Sequence, residues 1–140
     1  MKKWTKIYPA RLAGQLNPNS EEAEKHAKLY YEAIRKMTTD CINISKNTNM
    51  SESDIKDIKN YIFVDKHDLI NGHKRFDENY DIAQSWQRLI DGKNIKEQDI
   101  ILLNHELTEM RLIKSGMTQD EAHIIATKKH NYAKATDMER

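Results

Sequence analysis

The scarcity of chain breakers constrains this sequence more than any other feature. Only four glycines and two prolines occur in 140 residues, and the apolar residues between those breaks recur at spacings of three and four. Such spacings line one side of an α-helix, not one face of a strand, whose period is two. The expected fold class is therefore all-α, with about five helices packed as one small domain. A chain of this length holds one hydrophobic core and is too short for two well-packed ones. Both prolines fall within residues 1–19, which end in "LNPNS". These residues are read as an N-terminal arm that packs Trp4 and Tyr8 onto the body, residues 20–132 as the helical domain and residues 133–140 as a C-terminal tail.

The run "SEEAEKHAKLYYEAIRKMTTDCINISK" starts at Ser20 with acidic residues, which suit a helix N-terminus, and sets Leu29, Ala33, Met37, Cys41 and Ile44 on one face. Ser51 followed by Asp54 starts a second helix, which turns Ile55, Ile58 and Ile62 inward. "YDIAQSWQRLIDG" gives a short third helix with Ile82, Trp86 and Leu89 on one side and Gly92 at its end. A fourth runs from about Glu97 to Ser115 and stops at Gly116. Thr118 and Glu121 then cap a last helix through about His130, so the final pair forms a C-terminal helical hairpin. Residues 64–78, "VDKHDLINGHKRFDE", show neither period and are expected to form a long irregular loop, a place where function concentrates.

Composition excludes several classes. Charged residues make up 32% of the chain but nearly cancel, 23 basic against 22 acidic, so neither disorder nor a global field for nucleic acid is indicated. The single cysteine, Cys41, has no partner for an internal disulfide and reads as a small buried hydrophobe, because a reactive thiolate needs an electropositive setting. No segment approaches the roughly 18 apolar residues of a membrane span. The start, "MKKWTKIYPARLAG", lacks the apolar core of a signal peptide. A cytoplasmic protein with no membrane partner is the expectation.

The stretch "LLNHELTEMRL", residues 102–112, carries the functional argument. At about 100° per residue, Asn104, Thr108, Arg111 and Ser115 form the solvent stripe of the fourth helix. His105, Glu106 and Glu109 all lie off that stripe, among leucines, isoleucines and a methionine. Burying charged groups costs several kcal/mol each unless counter-charges, hydrogen bonds or a metal meet them. His105 and Glu109, at i and i+4, can present an imidazole and a carboxylate to one divalent ion such as zinc. An H-E-x-x-H helix presents two imidazoles in the same way, with its glutamate as base. His123 on the last helix and His67 in the loop are the candidate further ligands, Glu106 the candidate general base, and Arg75 and Arg88 candidate substrate-binding residues. The competing reading is a structural polar cluster in which Arg75 or Arg88 neutralises the carboxylates. His26 and His130, each next to lysine, read as surface histidines, and Trp86 as core.

Taken together, "RKMTTD", "SKNT", "IFVDKHDL", "RFD", "AQSWQRLIDGKNI", "DIILLNHELTE", "SGMTQDEAH" and "KKHNY" resemble a small domain at the C-terminal ends of phage minor head (head-morphogenesis) proteins and in related polymorphic toxins. The resemblance spans about Glu24 to Tyr132, with His67, His105, Glu106, Glu109 and His123 as its matching polar positions. It implies a phage or mobile-element origin, a toxin-like effector activity, a phage or immunity partner and delivery with a phage particle. Two functions remain open from the sequence. One is a metal-dependent hydrolase acting on a peptide or phosphodiester bond of a protein or nucleic-acid substrate. The other is a non-enzymatic phage component that binds DNA or protein and uses the same cluster as scaffold.

Overall fold

The computed structural model describes residue 17 and residues 20–139; the expected packing of Trp4 and Tyr8 lies outside them. Seven α-helices occur among the described residues: α1 Glu21–Lys36, α2 Asp40–Thr48, α3 Glu52–Lys59, α4 Tyr80–Asp91, α5 Glu97–Lys114, α6 Gln119–Lys129 and α7 Tyr132–Glu139. The all-α expectation holds, with two helices beyond the five. One arises because the long N-terminal run breaks at Met37, whose extended backbone (ψ 142°) ends α1 before Asp40 begins α2. The break shifts the buried face. Ala23, Ala27, Tyr30, Tyr31 and Ile34 point inward on α1, while Leu29 is 44% exposed. The other is α7, a helix over most of the residues read as a tail, and it packs on α5.

Residues 64–78 are not wholly irregular. After α3 the chain widens into one π-helical turn, Asn60–Val64, closed by the Asp65 N–H donating to the Asn60 carbonyl at 2.7 Å. An antiparallel hairpin follows, β1 His67–Leu69 with β2 Gly72–Lys74, in which His67 faces Lys74 and Asp68 faces His73. Asn71–Gly72 is a local hairpin signal, and strands of three residues are too short to show an alternating period.

α5 is the central element, touching α3, α4, α6, α7 and the π turn. One continuous core runs from Tyr31, Ile34 and Ile44 through Ile58 and Phe63 to Trp86, Leu89 and Leu103. Trp86 is fully buried, its ring edge-on to Phe63 and its indole N–H donating to Asp40 at 3.2 Å. Asp40 also holds Lys59 at 3.1 Å, so this buried carboxylate has its counter-charge. Cys41 is buried as expected, and burial lifts its thiol to about 11. The α5–α6 hairpin depends on Gly116, at φ 112°, a region that side chains with a Cβ rarely adopt. Thr118 and Glu121 then form the expected reciprocal cap of α6.

Candidate metal centre

α5 delivers three ionisable side chains to its buried side by helical geometry alone. His105, Glu106 and Glu109 are only 6%, 9% and 2% exposed. α6 returns antiparallel from Gly116 and lays Gln119 and His123, four residues apart, against the same region. From the other flank the π turn turns Tyr61 inward.

Glu109 is the hub. One carboxylate oxygen, Oε1, accepts from His123 Nδ1 at 2.8 Å and lies 3.6 Å from His105 Nε2. The other, Oε2, accepts from the Tyr61 hydroxyl and from Gln119 Nε2, the latter at 3.1 Å. Burial would raise the pKa of Glu109, but the hydrogen bonds from His105, Tyr61, His123 and Gln119 outweigh it and hold the carboxyl down at about 2. Glu109 is thus an anion at any ordinary pH.

His105 is oriented from behind, its Nδ1–H donating to the His130 carbonyl at 2.9 Å. With Nδ1–H so engaged, Nε2 faces Glu109, carrying the lone pair when the ring is neutral and an N–H directed at the carboxylate when it is protonated. The His105 and His123 rings meet edge to face with centroids 5.2 Å apart. One ligand atom from each of His105, Glu109 and His123 lies within 4.8 Å of the others. Zinc–ligand bonds of about 2.0–2.2 Å put ligand atoms about 3.4 Å apart in a tetrahedron. The widest pair therefore has to draw in by up to about 1.4 Å to hold an ion. His123 is the exposed member, its side chain 60% accessible, and so marks the open side.

Glu106 differs from Glu109 in its surroundings. No hydrogen bond reaches its carboxyl among the described residues, and burial, together with the Glu109 charge, pushes its pKa to about 8 despite the opposing pull of His105. His105 itself loses basicity to burial but gains more from Glu109, Glu106 and the His130 carbonyl, so its pKa is raised.

Three of the residues singled out in the sequence have other work. His67 Nε2–H donates to the Tyr61 carbonyl at 2.7 Å, and its ring stacks on Phe76 with centroids 4.1 Å apart. Arg75 Nε donates to the Val64 carbonyl at 3.0 Å, and Arg35 Nε to the Phe63 carbonyl at 2.6 Å. Carbonyls left over where the π turn ends are thus met by side chains, and His67 bonds the backbone of Tyr61 and not the ligand set. Arg88 does not turn towards the polar cluster. It forms a two-pronged pair with Asp99 at 2.7 and 2.8 Å, a fully buried carboxylate close to it in sequence. His26 is buried, not at the surface, beside Tyr30, Tyr80 and Gln84. Tyr61 and Gln119 are the members that sequence reasoning missed. The Tyr61 side chain acquires its direction from a π turn, and Gln119 sits in a capping segment where glutamine carries no chemical signature.

No family model, no curated protein and no solved structure matches this chain.

Proposed function

We propose that His105, Glu109 and His123 hold a divalent metal ion, zinc in the first instance, and that the chain is a metal-dependent hydrolase with Glu106 as general base. The observation that carries this reading is the convergence of three compatible ligand atoms around His105 Nε2, whose direction is set by the bond from Nδ1 to the His130 carbonyl. Backing of that kind is what ligating histidines ordinarily have. A bound divalent ion lowers the pKa of its water towards about 7. Glu106, adjacent to His105 in sequence and one turn before Glu109, would take that water's proton once the ion's charge had drawn its carboxyl down from about 8 into the ionised form. Tyr61 and Gln119 fix the far oxygen of Glu109 and leave Oε1 to the ion. The resemblance to phage head-associated and polymorphic-toxin domains makes a toxin-like effector the biological setting of the proposal.

One observation favours the alternative. Glu109 already accepts hydrogen bonds from Tyr61, Gln119 and His123, so it is satisfied without an ion and can serve as scaffold alone. Metal content and thermal stability separate the two. The metal centre requires one zinc per chain in the wild type, loss of zinc in His105→Ala, and zinc retained with activity lost in Glu106→Gln. Wild-type protein that takes up no zinc at micromolar concentration would leave the scaffold reading standing.

A further inference from the structure

A cleft of about 930 Å³ lies between the hairpin and the α5–α6 junction, at the upper end of the range that binding sites occupy. Tyr61 and Gln119 line it, and both hydrogen-bond to Glu109, so these two side chains stand between the cleft and the ligand set, none of which lines the cleft itself. His123, the exposed ligand, follows Gln119 by one turn of α6, about 6 Å along the helix. Met110, Ile113 and Met117 supply apolar lining, two of them methionines, whose unbranched side chains adapt to varied partners.

The charges along the cleft discriminate between substrates. Asp57, Asp65 and Asp68 line it together with Lys66 and Lys114, and Asp68 is paired with His73 at 2.8 Å. A track for nucleic acid needs a clear excess of lysine and arginine to replace phosphate counterions, and here carboxylates outnumber ammonium groups. A polypeptide backbone carries no net charge and imposes no such demand. β1, whose His67 and Asp68 line the cleft, is bonded to β2 alone, so its second edge has no strand partner among the described residues.

We infer that this cleft is the substrate groove and that it takes an extended polypeptide with an apolar side chain seated among Met110, Ile113 and Met117, which makes the scissile bond a peptide bond. This rests on the hydrolase reading for its chemistry but not for its binding, and the two can fail separately.

The test uses fluorescein-labelled octapeptides built on a Gly-Ser frame, with Leu, Met or Gly at the centre, and labelled 20-nucleotide DNA and RNA. Binding is measured by anisotropy to the full chain, with zinc and with EDTA, for the wild type, Glu106→Gln and Met117→Asp. Met117 is partly exposed and is not one of the metal-ligand set, so Met117→Asp should keep the wild-type Tm and zinc content. Expected are saturable binding of the Leu and Met peptides, at least fivefold weaker binding of the Gly peptide, and about tenfold weaker Leu-peptide binding to Met117→Asp. Oligonucleotide binding that outcompetes the peptides, peptide binding unaffected by Met117→Asp, or no peptide binding at all would each overturn the inference. Peptide binding that survives in a chain unable to take up zinc would confirm the groove and refute the metal centre instead.

Discussion

Replacing Glu106 by methionine should stabilise the metal-free protein. The folded chain holds the Glu106 carboxyl at about 8 against an ordinary 4.5, because burial and the neighbouring Glu109 charge oppose ionisation. An acid whose pKa is raised on folding keeps a proton that the unfolded chain gives up, so stability falls as pH rises above 4.5 and levels off near 8. Each pH unit is worth about 1.4 kcal/mol, so about 3 kcal/mol is lost by pH 7. Methionine is close in length, carries no charge and fills irregular space. In EDTA-treated protein at pH 7, Glu106→Met should therefore be about 2–4 kcal/mol more stable than the wild type, with a Tm roughly 10 °C higher. The gain should shrink towards pH 4.5, where the wild-type carboxyl is largely protonated in both states. Zinc should narrow the gap at pH 7, because a cation nearby favours the ionised carboxylate. Urea titrations of both proteins at pH 4.5, 6, 7 and 8 measure all of this. A variant less stable than the wild type at pH 7, or a gain independent of pH, would show that the folded chain supplies Glu106 with a partner. The reasoning would then fail. A buried acid retained at such cost is what a functional site looks like.

Tyr61→Phe removes one donor to Glu109 without reaching the ligand atoms, and should weaken zinc affinity by about 10- to 100-fold in a competition titration with a chromophoric chelator. Trp86→Ala empties the centre of the core and strips Asp40 of a donor. It should cost about 3–5 kcal/mol by urea denaturation, whereas Trp86→Phe, which keeps most of the ring, should cost less than half of that. His26 is held neutral by burial, its pKa lowered to about 4. A base depressed on folding leaves stability intact above pH 6.5 and erodes it as pH falls from 6.5 to 4, so His26→Gln should flatten the stability–pH curve of the wild type in that window.

The sequence alone determined what is local. Helix boundaries at Ser51, Gly92, Gly116 and Thr118 were legible because a cap is decided by residues within one turn of it. The grouping of His105, Glu106 and Glu109 was legible for the same reason, since residues three and four apart on a helix are neighbours whatever the rest of the chain does. Even the approach of His123 followed from a tight hairpin between two recognisable helices. The tertiary structure decided everything that depends on which distant surface meets that helix. Arg88 could equally have faced Glu109, but Asp99, buried at the start of α5, lies nearer and takes the guanidinium two-handed. His67 read as a candidate ligand and Arg75 as a candidate substrate-binding residue because their loop had no visible period, yet both bond carbonyls of a π turn that no sequence spacing announces. That turn is also what sends Tyr61 to Glu109. A hydrogen-bonding defect of one residue in a helix redirects every side chain after it, and whether the chain tolerates the defect is settled by long-range partners such as Arg35, not by the five residues that form it.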